Sequence, residues 1–262
     1  MKSLRWISLV TTLLLAQVAT TFASVNPQGF DPQMSHQQMP PPVIQLQPCH
    51  VLWFGGDGPD EILRFTGLGL VITQTNNPAD LNPANLAAYD VLVVAYTGPG
   101  VIGANQPAIA AFVAADNGLL IHQPNTAGAI DYAPAGFGLT IADICWCGIC
   151  NTSMFDATIV NGAQPVTSGL VDADLAGDFD TAAGLGGSYT LLARNVNCPN
   201  NPSLAAGVFG TGRVVFETGN ASPLAFDFGS DAYWAHLFEW LCIGSTTPTN
   251  ADTWGRLKVL YR

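Results

Sequence analysis

The feature that most narrows the fold is Val91-Leu92-Val93-Val94-Ala95, five apolar residues in a row with no polar interruption. A strand with one face in water alternates, so an unbroken run predicts a strand covered on both faces, as in a parallel sheet between helical layers. The neighbouring segments agree. His50-Val51-Leu52-Trp53-Phe54 is closed by Gly55-Gly56-Asp57-Gly58, after which Pro59, Asp60 and Glu61 suit the first turn of a helix. Val71-Ile72-Thr73 reads as another strand. Asn105 and Pro107 open a further helix with Ile109, Phe112 and Val113 on one face, Gly118 is expected to end it, and Leu119-Leu120-Ile121 supplies a fourth strand. Strands separated by helices at this spacing define βαβ units with right-handed crossovers.

Further along, Ala205 to Phe209 and Arg213 to Glu217 flank Gly210-Thr211-Gly212, the pattern of a hairpin rather than a crossover. Ser230 suits the cap of a last helix in which Trp234, Leu237, Phe238 and Leu241 recur at helical spacing. Between them, residues 125–191 show little periodicity, many Gly and Asp, and three close Cys. This reads as an irregular insertion with one or two strands, Ala157 to Val160 among them.

The ends have a different character. Lys2 and Arg5 precede an apolar run from Trp6 to Val18 that finishes near Thr21-Phe22-Ala23, so residues 1–23 are expected to be a secretory signal. Ser24 to Pro48 holds six Pro and six Gln and has no apolar period, as in an extended, disordered leader. The folded domain is expected over 49–243. Residues 244–262 read as a polar spacer and a short amphipathic tail, with Trp254, Leu257 and Tyr261 on one helical face and Arg256, Lys258 and Arg262 around it. The expected location is extracytoplasmic or secreted, in a bacterium.

Charge then excludes whole classes of partner. The chain carries −11, or −13 once Lys2 and Arg5 leave with the signal, and between Cys49 and Cys242 only Arg64, Arg194 and Arg213 are basic against 17 acids. A nucleic-acid partner is excluded by that sign, and anionic lipid would be repelled. Outside the signal no apolar stretch approaches the ~20 residues of a membrane span. Extracellular protein or carbohydrate partners remain, with the tail a candidate for a sorting or docking partner.

The order of these pieces resembles the class I glutamine amidotransferase-like superfamily, especially its secreted or ThuA-like branches. The matching stretches are HVLWFGGDGPDEIL, AYDVLVVAY, AIAAFVAADNGLLIHQ, QPVTSGL, and GRVVFETGN followed by AYWAHLFEWL, spanning residues 50–241. The resemblance implies an α/β, flavodoxin-like three-layer sandwich with a mostly parallel sheet, here with a late β-hairpin and an irregular Cys-containing insertion. Active members carry a nucleophilic Cys on the turn after the strand that Gly118 to Ile121 resembles, with a His and an acid after a late strand. This chain reads Ile121-His122-Gln123-Pro124 at the turn, so no Cys or Ser stands there. After Phe216 it reads Glu217-Thr218-Gly219-Asn220, an acid without a His, and Gln164 opens QPVTSGL where relatives often have His. The resemblance therefore carries the fold and not the reaction, and the expected role is a non-catalytic binding or structural module.

Ligands of open α/β sheets bind at the carboxyl ends of the strands. That rim should gather Gly55, Gly56, Asp57, Thr97, Gly98, His122, Gln123, Glu217 and Asn220. An alternative function is a hydrolase or isomerase using Asp57, His122 and Glu217, since His titrates near neutrality. The opposing reading makes Asp57 a helix cap and His122 a partner of backbone groups. No cofactor is expected, but Asp172, Asp174, Asp178 and Asp180 place four carboxylates close together, where calcium is the alternative to a solvated acidic loop. Trp146-Cys147-Gly148-Ile149-Cys150 looks like a thioredoxin-type WCGxC, which makes a thiol oxidoreductase a further alternative, and Cys145, Cys147, Cys150 and Cys198 offer four ligands for zinc. Structural disulfides suit six Cys in a secreted chain better. Cys49 precedes the first strand and Cys242 ends the final helix, so both reach the same edge of a parallel sheet and should pair. Cys145, Cys147, Cys150 and Cys198 would then pair among themselves.

Overall fold

The computed structural model describes residues 48–56, 59–122, 128–141, 157–176, 182, 184–196, 200–219 and 229–242. In chain order these form β1 (His50–Phe54), α1 (Pro59–Gly67), β2 (Val71–Thr75), α2 (Pro83–Leu86), β3 (Val91–Ala95), α3 (Gln106–Ala114) and β4 (Gly118–His122). There follow β5 (Gly128–Ala129), β6 (Leu139–Ile141), β7 (Ala157–Ile159), β8 (Gly184–Leu185), β9 (Thr190–Asn195), β10 (Pro202–Phe209), β11 (Gly212–Glu217) and α4 (Asp231–Cys242). The signal, nearly all of the leader, the tail, and Cys145, Cys147, Cys150 and Cys198 lie outside the described residues, so the zinc, thiol-redox and remaining disulfide assignments do too.

The main sheet runs β2-β1-β3-β4-β11-β10-β9-β7. Its first five strands are parallel, and β10, β9 and β7 continue it antiparallel. The order of the parallel part is the flavodoxin-like doubly wound order. All five residues of β3 are fully buried, which is why that segment shows no alternation. In β1 the alternate residues feed two separate cores. Val51 and Trp53 pack with Phe65 of α1 and Trp234, Leu237 and Phe238 of α4, whereas Leu52 and Phe54 pack with Leu86 of α2 and Ile109, Phe112 and Val113 of α3. Helices therefore cover both faces, the three-layer arrangement the residues predict.

The sequence-based boundaries need correction at α3. Gly118 does not end that helix. The helix stops at Ala114, Asp116 adopts the left-handed conformation at φ +74°, and Gly118 is the first residue of β4. Asp tolerates that conformation better than most residues with a Cβ. A Cβ on Gly118 would lie 2.8 Å from the Leu241 carbonyl oxygen, so the glycine lets α4 settle against the start of β4. Asn105 does not cap α3 either; its side-chain amide donates to the carbonyls of Pro78 and Leu81. Ser230 behaves as expected, its hydroxyl accepting from the Tyr233 N–H at 3.1 Å.

The insertion holds more order than its composition suggests. β5, β6 and β8 make a small antiparallel sheet, and Leu139, Ile141, Ile130 and Phe137 bury against the α3 face of the main sheet. β7 pairs with β9 at the far edge of the main sheet. The hairpin of β10 and β11 forms as expected, although β10 begins earlier, at Pro202.

Cys49 and Cys242 form a disulfide with Cα atoms 6.0 Å apart, across a sequence separation of 193. It joins the approach to β1 to the end of α4 at the amino-terminal edge of the parallel strands, as the topology requires.

Candidate functional site

β4 and β11 are hydrogen-bonded neighbours in which His122 stands in register with Glu217 on one side and Ala95 of β3 on the other. In-register residues point to the same face, and here it is the face of Leu120, Val215, Trp53 and α4. The imidazole and the carboxylate are thereby carried into the core from the last residue of each strand. Ala95, with the smallest side chain of the three, leaves room for the ring. Both polar side chains are completely buried.

The third member comes from α1. Glu61, 1% exposed, shares the helical face of Phe65 and Leu68 and directs Oε1 to His122 Nε2 at 3.4 Å. His122 Nδ1 is hydrogen-bonded to Glu217 Oε1. Glu217 Oε2 also accepts from the Gly219 N–H at 2.7 Å and from the Tyr233 hydroxyl at 3.5 Å. Tyr96 donates its hydroxyl to Glu61 Oε1 at 2.7 Å. Around the ring stand Trp53, Tyr96 and Trp234, each edge-on with centroids 5.5, 5.5 and 6.0 Å away. An imidazolium is well placed among aromatic rings and two carboxylates.

The local backbone is built for this. Tyr96 follows β3 at φ +50°, a conformation unusual for a residue with a bulky side chain. The glycines after β1 make space for it. A Cβ on Gly55 would lie 2.5 Å from the Ala95 carbonyl oxygen and from Thr97 Oγ1, and one on Gly56 would lie 2.5 Å from the Tyr96 ring. Both glycines have positive φ. The Gly-rich turn thus lets the exits of β1 and β3 lie against each other.

Electrostatically, burial alone would lower the pKa of His122, but the charges and hydrogen bonds of Glu217 and Glu61 more than reverse this and hold it up to about 10. Burial pushes the Glu217 carboxyl up, with His122 and the Gly219 N–H opposing. Burial likewise pushes the Tyr233 hydroxyl up, reinforced by Glu217. His122 is therefore an internal cation held between acids.

Of the residues expected at the rim, the structure brings His122 and Glu217 into direct contact. Gly55, Gly56, Thr97 and Gly98 stand at the exits of β1 and β3, with Thr97 buried and its hydroxyl turned back to the Ala95 carbonyl. Asp57, Gln123 and Asn220 lie outside the described residues. The picture of His122 satisfied by backbone groups is corrected: both ring nitrogens meet carboxylates. Glu61, Tyr96 and Tyr233 were missed as site residues. Glu61 had a signal, its i, i+4 spacing to Phe65, and so did Tyr233, four residues before Leu237. The inward turn of Tyr96 depends on a φ that sequence does not display.

The acidic segment divides. Asp172 Oδ1 accepts from the Ile159 N–H at 2.8 Å and Asp174 Oδ2 from the Val171 N–H at 2.9 Å, while Asp178 and Asp180 lie outside the described residues. Among the described residues no group of three His, Cys, Asp or Glu side chains is disposed to hold a metal ion. No helix among them is long and apolar enough to cross a membrane.

No known family model matches the chain, and no curated relative matches it. Solved structures do share its fold. A cytoplasmic protein of Salmonella typhimurium superposes with a TM-score of 0.50 at 14% identity, over 74% of this chain and 98% of that one. A ThuA-like protein of Bacteroides uniformis gives 0.45 at 13% identity, over 73% and 90%. A GMP synthase protein of Thermoplasma acidophilum gives 0.45 at 10%, over 80% and 98%. At these identities the likeness concerns the fold alone, a flavodoxin-like sandwich with a large, mostly parallel sheet.

Proposed function

We propose that this chain is a secreted, non-catalytic binding or structural module on an amidotransferase-like fold. The observation that carries the reading is the state of His122. It ends the strand after which relatives of the resembling superfamily place their nucleophile, yet its side chain has no exposure and both its nitrogens are committed to buried carboxylates. A nucleophile or base needs an open approach to substrate; this constellation is a packed part of the core. The Cys49–Cys242 bridge and the signal-like residues 1–23 support export to an oxidising compartment. Binding of an extracellular protein or carbohydrate at the strand-end rim, and a sorting or docking role for 244–262, complete the reading.

The pairing of His122 Nδ1 with a carboxylate favours one other reading, because an oriented imidazole is half of an acid–base site. In that case Asp57, His122 and Glu217 would serve a hydrolase or isomerase. One experiment separates the two. The mature protein is incubated with glutamine and with ester and thioester substrates, and beside this its melting is followed against a panel of sugars, amino acids and divalent ions, since a ligand raises stability by mass action. The module reading expects no turnover and a melting shift with one class of ligand. Turnover that disappears in a folded His122→Gln variant would replace it with the acid–base reading.

A further inference from the structure

Two buried carboxylates face a single imidazole, and the arginines among the described residues are placed elsewhere. Arg64 is bonded to Asp231 and to the Gly229 carbonyl. Arg213 lies at the opposite end of β11, in register with Gly118, and Arg194 is on β9, two strands beyond β11. With the imidazole protonated and both carboxylates ionised, the unit would hold one uncompensated negative charge in full burial, which is among the costliest states a protein interior can contain. One more proton removes the imbalance.

The hydrogen bonds say where that proton sits. Glu217 receives the His122 Nδ1–H, the Gly219 N–H and, at longer range, the Tyr233 hydroxyl, a donor set that favours a carboxylate. Glu61 receives the Tyr96 hydroxyl and His122 Nε2, both on Oε1. We propose that Glu61, His122 and Glu217 form an electrically neutral unit at neutral pH, in which Glu61 is a carboxylic acid, His122 an imidazolium and Glu217 a carboxylate, and that losing its protons in alkali loosens α1 from the sheet.

The groups facing His122 are Glu61 from α1, Trp53 from β1, Tyr96 after β3, Glu217 from β11, and Tyr233 and Trp234 from α4. Of these, Glu61 alone ties α1 to the unit. Once Glu61 ionises, the unit is anionic and dry, and separation of α1 admits the water that the charge requires. The upward displacement of the His122 pKa supports the imidazolium form. The inference rests on reading His122 as part of a packed core.

Gln is close in shape to a protonated Glu and cannot ionise, which makes the test direct. The mature chain with Glu61→Gln should melt within about 2 °C of wild type at neutral pH, whereas Glu217→Gln should melt about 10 °C lower. Between neutrality and about pH 10 Glu61→Gln should lose less of its melting temperature than wild type. Infrared spectroscopy of the unmutated protein at neutral pH should show a protonated-carboxyl band that is missing in Glu61→Gln, and nitrogen NMR should show both ring nitrogens of His122 protonated. Equal damage from the two variants, or absence of the carboxyl band, would overturn the inference while leaving the module reading intact. Turnover or ligand binding that needs His122 would strike the module reading instead.

Discussion

The parallel and antiparallel halves of the main sheet handle carboxylates in opposite ways. Where β3, β4 and β11 end, Glu217 and Glu61 are buried around an imidazole and each acid is answered by side-chain and backbone donors. At the antiparallel edge Asp172 stays exposed and spends its carboxylate on the Ile159 N–H of β7. The first arrangement is a desolvated network whose members stand or fall together; the second is a local bond on a strand edge, which keeps that edge from offering its N–H elsewhere. The difference teaches that in this chain the cost of removing a polar group should depend on which half of the sheet holds it. The parallel half also holds the Cys49–Cys242 bridge at its other end, so it is constrained at both.

The largest expected effect comes from that bridge. Replacing both Cys49 and Cys242 with Ser frees a closed loop of nearly the whole domain, and the chain-entropy estimate for so long a loop is on the order of 5 kcal/mol, as an upper figure. Denaturant melts of the variant should show a large fall in midpoint. A change smaller than that of a single surface substitution would mean the parallel half does not depend on its staple.

The next effect is that of pH. The pKa of His122 in the folded protein is raised from 6.5 to about 10, so its stabilisation is complete below about pH 6.5 and is lost as pH rises through about 10. The raised carboxyl of Glu217 has the same sign. The network should thus cost the protein stability on the alkaline side and none on the acid side, by a few kcal/mol in all. Melting temperatures followed across pH check this, and His122→Ala should remove most of the alkaline slope while lowering neutral stability by about 3–5 kcal/mol. A wild-type profile that is flat to pH 10 would contradict the network.

The same contrast explains what was legible in the residues. β1, β3 and β4 could be read because burial on both faces leaves unbroken apolar runs, and the bridge followed from topology once those strands were parallel. His122 and Glu217 could be read because each ends such a run. Tyr96 could not, since its role depends on a positive φ and on the room left by Gly55 and Gly56. The strands β5, β6 and β8, of two or three residues each, were not legible, because segments so short carry no period and are held by tertiary packing. Gly118 misled for a related reason: a glycine is a sign of close approach as well as of helix ending, and here the neighbour is Leu241 of α4.

Gly118→Ala sharpens that point with a smaller effect. Its Cβ would meet the Leu241 carbonyl oxygen at 2.8 Å and Val91 Cγ2 at 3.1 Å, so α4 must move away from β4 at a cost of about 1–3 kcal/mol. Thermal melts would register a fall of several degrees. An unchanged melt would show that α4 is free to shift, and with it the Tyr233 contact to Glu217.

The smallest effect belongs to the antiparallel edge and bears on calcium. Asp172→Ala removes the acceptor of the Ile159 N–H, but that N–H lies at an exposed strand edge where water can replace the carboxylate. The expected loss is therefore only about 1 kcal/mol, against several for an acid of the buried network. The same bond sets the expectation for calcium. Asp172 and Asp174 each have an oxygen engaged by a backbone N–H, and an oxygen that holds a donor presents less of its charge to a cation. A calcium ion drawing on Asp172, Asp174, Asp178 and Asp180 would have to compete with both bonds. Melting temperatures in millimolar calcium and in excess chelator should coincide, for the wild type and for Asp172→Ala alike. A shift present in wild type and absent in the variant would show that this edge, like the network, uses its carboxylates together.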